Sequence, residues 1–411
     1  MTYIGTIIIG AGQAGLAMSR CLSDRGIRHV LLERGEIANS WSHERWDSLR
    51  LLTPNWQSRL PGFGYDGPDP DGFMSMPEIV GYLRDYARAS DAPVEERTRV
   101  LSVTASAGGY EIQTNRGAWR CDTLVLASGA CNLASVPALS AQVPPGIEQI
   151  NALGYRNPGQ LAPGGVLVVG ASATGVQLAA EIRAAGHEVT LAAGEHIRVP
   201  RQYRGRDIQW WLEVTGVHAT RTDEVDDLRR ARGVPSLQLA GSHEQPFCDL
   251  GWLIAMGVEV TGRLGAIRDG VALFSGGLAN HCALSDLKMN RLLDTIDAWA
   301  ETCNLPGIGP AERFAPTPCP SAPRLTMPLG DGRIRTILWA TGFRPDHSWL
   351  QLPVFDRKGA LQHHEGRVAP GLYVLGLPFQ RRRNSALLDG VGHDAAAIAD
   401  DILFQRGRSA A

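Results

Sequence analysis

Twice in 411 residues a short β-branched run leads straight into a glycine turn and then into small and apolar residues, and no other feature of the chain constrains its fold as tightly. The first copy is Thr6-Ile7-Ile8-Ile9, then Gly10-x-Gly12-x-x-Gly15 with Gln13 and Ala14 inside it, then a helical stretch over 16–22. Gly26 stops that helix, and His29-Val30-Leu31-Leu32 forms a second buried strand that runs out into Glu33 and Arg34. Strand, tight turn, helix, strand is a β-α-β unit. Its glycines allow the turn itself, the approach of a phosphate to backbone amides at the helix N-terminus, and close packing of helix on strand. A carboxylate at the end of the second strand accepts hydrogen bonds from ribose hydroxyls. The unit is therefore predicted to hold a dinucleotide through Gly10, Gly12, Gln13, Ala14, Gly15, Glu33 and Arg34.

The second copy begins at Gly165: Val166-Leu167-Val168-Val169 is a strand, 170–175 a turn, 176–185 a helix, Gly186 its stop, and 188–191 the next strand. Gly170 and Gly175 keep the outer glycine positions, Ser172 takes the middle one, and Ala173 and Thr174 complete the turn as expected nucleotide contacts. No acid ends the following strand. Ala192 and Ala193 stand there, followed by Arg198, Arg201, Arg204 and Arg206. Guanidinium groups would attract a 2′-phosphate that a carboxylate would repel, so this unit is expected to take NADPH, with NADH as the alternative, through Arg198, Arg201 and Arg204. Solvated surface arginines are the bland reading of the same run.

Segments 124–127, 336–342 and 372–376 read as further strands, and 392–403 as a late helix. The fold class expected is α/β, with two dinucleotide-binding, Rossmann-like domains, the NAD(P)-binding one inserted into the FAD-binding one. Residues 1–150 and 336–411 are assigned to the FAD domain and 151–335 to the insertion. The stretch from 214 to about 328 gives a helix over 284–299 and little else. One fold holding a flavin and another presenting a nicotinamide to it is a division of labour that suits this arrangement.

A net charge of −2 gives no reason to expect nucleic acid or an anionic membrane, and no apolar run approaches the roughly 20 residues that cross a bilayer, so a cytoplasmic chain is expected. The seven cysteines include no C-x-x-C, which signals neither a dithiol centre nor a metal site.

Taken with Glu33, the pieces Ser40-Trp41, Trp46-Asp47-Ser48-Leu49-Arg50-Leu51, Tyr155-Arg156-Asn157-Pro158 and Ala340-Thr341-Gly342-Phe343 give nearly the whole chain a resemblance to the flavin-containing and Baeyer–Villiger monooxygenase superfamily. The resemblance implies FAD reduced by NADPH, then reaction with molecular oxygen at the flavin C4a position and transfer of one oxygen atom to nitrogen, sulfur or a carbonyl of a small organic substrate. It places Trp41 and Leu51 beside the flavin ring, Val100 near the adenine, and Ala127, Gly129, Thr341 and Gly342 in the linking turns. It also brings Gly376, Gly392 and Asp394 toward the pyrophosphate and the pyrimidine edge. Three residues become candidate catalytic groups: Arg50, Asn55 and Asn151.

The chain departs from the family at two of these. Its fingerprint F-x-G-x-x-x-H-x-x-x-Y/W, counted back from Tyr155, meets Asn151 in place of histidine, with Pro145 and Ile147 in place of Phe and Gly. An amide hydrogen-bonds but does not change charge near neutral pH. The asparagine that assists heteroatom oxidation aligns with Pro54, next to Asn55. These departures keep two alternatives open: an NAD(P)H oxidase or dehydrogenase without oxygen insertion, and a non-catalytic flavin redox sensor. Substrate identity and homo-oligomerisation are left open.

Overall fold

The computed structural model describes residues 1–410, with side chains through Arg408. Its first sheet runs, edge to edge, Arg367–Ala369, Leu372–Val374, Thr123–Leu126, Thr6–Ile9, His29–Leu32 and Val94–Glu95, all parallel but for the Arg367–Ala369 edge. Side chains alternate across it. Ile8, Leu31 and Val125 pack under the helices Gln13–Ser23, Met76–Ala89 and Leu388–Ala410, while Ile7, Ile9, Val30 and Leu32 pack on the other face with Val103 and Ile112 of an antiparallel strand pair. Both faces are covered, which is why these parallel strands read as unbroken apolar runs in the sequence.

The second sheet is fully parallel, in the order Glu148–Asn151, Ile334–Trp339, Gly165–Val169, Val189–Ala193, Glu259–Gly262. The helix Ala173–Ala184 packs on one face, and a small sheet containing Leu264–Arg268 and Val271–Phe274 closes the other. The doubly wound α/β class is as expected. The domain limits shift, because Glu148–Asn151 and Ile334–Trp339 both lie in this second sheet and not in the first. The chain crosses between the domains on a two-stranded antiparallel ribbon, Leu133–Ala134 against Phe343–Arg344, instead of at 150 and 336. A buried strand that returns to either sheet has the same apolar pattern, so the sequence does not tell the two apart. No helix among the described residues is long and apolar enough to cross a membrane.

Candidate functional site

The three glycines of the first turn answer to different demands. Gly10 has φ +107°, and a Cβ there would lie 2.5 Å from the Ala127 carbonyl oxygen; a Cβ on Gly15 would lie 1.9 Å from the Gly10 oxygen. Both are fixed by packing within the protein. Gly12, the N-cap of the helix Gln13–Ser23, has φ −86°, and a Cβ on it would meet nothing within 4 Å. Neither backbone strain nor a protein neighbour requires glycine at that position. The remaining demand is for room at a helix N-terminus, where amides and the helix dipole favour a phosphate.

That room belongs to a cavity lined by Gly10, Gly12, Gln13, Ala14, Glu33, Arg34, Trp41, Val100, Ala127, Gly129 and Gly376, all expected from the sequence. Gly129 and Gly376 sit at φ +88° and +87°, and a Cβ on Gly376 would stand 2.8 Å from that of Ala14. Glu33 is buried; its carboxylate accepts the Ala11 amide at 2.8 Å and the Gly35 amide at 3.0 Å, which fixes it at the cavity wall with lone pairs left for hydroxyl donors. Arg34 pairs with Glu44. Trp41 donates its indole N–H to Gln13 Oε1 at 3.0 Å and lies under the Arg45 guanidinium, so the ring is clamped at the cavity wall. The same wall includes Thr98, Asn132, Asp346, Trp349 and Ala386, which the sequence did not reveal. They arrive from loops far apart in the chain.

Other expected residues lie elsewhere. Arg50 donates to the Phe73 carbonyl at 2.7 Å, and a side chain on Gly241 would collide with the Leu51 carbonyl at 2.2 Å; neither Arg50 nor Leu51 lines the cavity. Asn55 is buried and spent on its own loop, giving Nδ2 to the Asp69 carbonyl and taking the Met74 amide on Oδ1. Asn151 accepts the Leu153 and Gly154 amides, the bonding of a turn-forming asparagine. Asn55 is thus bonded at both ends of its amide, Asn151 through its oxygen and Arg50 through one nitrogen, each to its own or a neighbouring loop. Gly392 lets the helix Leu388–Ala410 pack on Pro61, 2.9 Å from where its Cβ would be, and Asp394 is fully buried 3.8 Å from Arg382 with its carboxyl raised by desolvation. Thr341 donates to the Ser135 carbonyl, and Gly342 (φ +94°) starts the crossover ribbon.

The second turn repeats the first closely. Gly170 has φ +111°, and a Cβ there would lie 2.3 Å from the Ala340 carbonyl oxygen, while a Cβ on Gly175 would lie 1.8 Å from the Gly170 oxygen. Ala340 follows the strand Ile334–Trp339 as Ala127 follows Thr123–Leu126. Ser172 takes the N-cap place that Gly12 holds in the first turn, directly before Ala173 and Thr174, and its hydroxyl makes no capping bond among the described residues. Buried Gln238 donates to the Ala171 carbonyl at 2.6 Å and steadies the turn from the side.

The expected arginine cluster is not a phosphate site. Arg198 is buried between Asp249 (2.9 Å) and Asp286 (2.7 Å), bonds the Ala315 carbonyl and Thr317, and stacks over Phe247. Arg201 pairs with Asp207, donates to the Leu52 carbonyl at 2.7 Å and stacks over Phe73; Arg204 pairs with Asp297 and bonds the Gly309 carbonyl. All three are consumed internally. A different cation stands at the strand end: exposed Arg263, whose side-chain carbons run 3.6 Å from where a Cβ on Gly194 would be, and which forms no ion pair among the described residues. The nearby acid, Glu195, is neutralised by Lys288 at 2.6 Å.

Two glycine-turn folds joined by one short ribbon define a two-domain, nucleotide-dependent oxidoreductase. Residues 7–214 match the model of the pyridine nucleotide-disulphide oxidoreductase family, and the chain belongs to that family. The CzcO-like oxidoreductase of Geobacillus kaustophilus is 30% identical over 97% of this chain and 98% of its own length. The indole-3-pyruvate monooxygenase YUCCA6 of Arabidopsis thaliana is 30% identical over 49% of this chain and 50% of the plant protein. Among solved structures, the flavin-containing monooxygenase of Stenotrophomonas maltophilia superposes with a TM-score of 0.65 at 20% identity, covering 98% of this chain and 99% of that one.

Proposed function

We propose that this chain is an FAD-dependent, NADPH-reduced monooxygenase that transfers one oxygen atom to nitrogen, sulfur or a carbonyl of a small organic molecule. The observation that carries the reading is the pairing of two unlike turns. One is open at Gly12 beside a fixed Glu33 and suits the adenosine diphosphate half of FAD; the other has Ser172 at the N-cap, Ala193 where an acid would stand, and Arg263 alongside, and suits NADPH. The relatives named as monooxygenases support the choice of oxygen chemistry.

In this reading Gly12, Ala14 and Gly129 leave space for the pyrophosphate, Glu33 receives ribose hydroxyls, and Trp41, clamped between Gln13 and Arg45, borders the flavin. The bound flavin supplies the chemistry of accepting hydride from NADPH and delivering electrons to dioxygen. The protein's part is binding, orientation and exclusion of water, since none of the residues first considered for catalysis lies at the cavity. Anaerobic reduction by NADPH followed by rapid mixing with oxygenated buffer tests this. The expected trace passes through a spectrum that is neither reduced nor oxidised flavin before reoxidation. Direct return with release of one peroxide per NADPH would make the protein an oxidase, and no bleaching by NADPH would remove the reading.

A further inference from the structure

The long helix Leu278–Cys303 and the irregular segment that follows it are pinned together at one point by two direct bonds and a shared arginine. Thr317 gives its amide to Asp286 Oδ2 at 3.0 Å and its hydroxyl to Asp286 Oδ1 at 2.7 Å, and Arg198 holds both residues. That contact sets a register. Cys282 lies one helical turn before Asp286, about 6 Å along the axis, and Cys319 lies two residues beyond Thr317, at most about 7 Å along the chain. The register brings the two side chains to the same place: Cys282 is buried in an apolar cluster, Cys319 is half-buried against that same cluster, and the Cys319 sulfur stands close enough to act on the Cys282 thiol. Pro318, between the two anchors, packs 3.0 Å from where a Cβ on Gly251 would be, which leaves this segment little freedom to drift from the helix.

We propose that Cys282 and Cys319 form a redox modification site that closes to an intramolecular disulfide under hydrogen peroxide. The more accessible Cys319 sulfur attacks one peroxide oxygen, the O–O bond breaks, and water leaves with the thiol proton, giving a sulfenic acid. The Cys282 sulfur then displaces the hydroxyl group, forming the S–S bond and a second water. In sum two thiols are oxidised by two electrons and one peroxide is reduced to two waters. Burial pushes the Cys282 thiol up to about 12, so closure is slow at neutral pH and accelerates as the pH rises. The consequence is structural. The bond would fasten the segment carrying Thr317 to the helix that, with Asp249, encloses Arg198, locking a seam of the second domain that now rests on polar contacts.

The test uses the full chain carrying Cys303→Ser, which removes the exposed cysteine at the end of the same helix. After graded hydrogen peroxide, peptide mass mapping is expected to show the Cys282 and Cys319 peptides joined, about 2 Da lighter than their sum, reversed by dithiothreitol. With Cys282→Ser added, no joined peptide forms and Cys319 proceeds to a sulfinic acid about 32 Da heavier that dithiothreitol does not reverse. Should Cys319 become sulfinic with Cys282 intact, or should both thiols stay free at peroxide levels that oxidise Cys303 in the unmodified chain, the inference is wrong. Linkage of either to a different cysteine would overturn it equally.

Discussion

Ala193 occupies in the second sheet the position that Glu33 occupies in the first. Leu32 pairs with Ile9 and is followed by Glu33; Ala192 pairs with Val169 and is followed by Ala193. The two β-α-β units share a geometry and differ at the atom that would meet the adenosine 2′ position. Glu33 suits a hydroxyl donor there, whereas a methyl group beside the exposed Arg263 suits a phosphate.

Arg263→Ala should therefore weaken NADP⁺ binding about tenfold, the lower end of a charge-assisted contact for so exposed a group, and leave NAD⁺ binding unchanged. Titration calorimetry with the two oxidised nucleotides reads this without turnover. An equal loss for both nucleotides, or no loss for either, would remove Arg263 from the 2′-phosphate site.

The first turn permits a sharper separation of binding from folding. Gly12→Ala adds a methyl group to open space, so the variant should fold with a melting temperature within about 2 °C of the parent apoprotein but purify with little flavin. Gly15→Ala drives a methyl group to within 1.9 Å of the Gly10 carbonyl oxygen and should give mostly insoluble protein. A Gly12→Ala protein that retains full flavin content would count against phosphate binding at that helix end.

Arg198 invites the opposite experiment, because its residue type suggested a ligand and its surroundings make it a strut. Arg198→Met leaves Asp249 and Asp286 without their shared cation in a buried site, a change of about 3 kcal/mol or more. Denaturant unfolding should show that loss, while the ratio of NADP⁺ to NAD⁺ affinity in the folded fraction stays as it was. A collapse of that ratio with stability intact would restore Arg198 to the nucleotide site.

What could be read in advance follows from how local each signal is. The spacing from Gly10 to Gly15 and on to Glu33 lies within one β-α-β unit, so the sequence alone fixed the turn, the helix end and the strand end. Arg198 shows the limit: the acids that claim it stand at 249 and 286, brought in by a helix N-cap and a long helix that periodicity did not relate to it. Asn55 became a catalytic candidate because it stands next to the position that aligns with the family asparagine, yet its bonds to Asp69 and Met74 exist only once the loop has closed. Arg263 carried no signal whatever, since its place depends on the strand Glu259–Gly262 lying next to Val189–Ala193. Trp349 and Asp346 complete the cavity wall from beyond the crossover ribbon.

His218 gives the last prediction, and it concerns pH. The ring is buried, with Nε2 2.9 Å from Gln209 Oε1, and desolvation pushes it down to about 4 from an ordinary 6.5. Above pH 6.5 the ring is neutral in both folded and unfolded chains, and its contribution to stability is complete. As the pH falls below 6.5 the unfolded chain takes up a proton that the folded chain refuses until about 4, so stability drains away across that interval. Between pH 7 and pH 5 the loss amounts to about 2 kcal/mol. His218→Gln keeps a hydrogen-bonding group and removes the titration, so the stability gap between parent and variant should narrow by that amount over the same interval in urea unfolding. Buried carboxyls such as Asp394, raised by desolvation, act in the opposite direction but are common to both proteins and cancel in the difference. A gap that holds constant from pH 7 to pH 5 would show that His218 protonates in the folded protein as readily as in water, and that its burial is relieved by opening of the 216–220 turn.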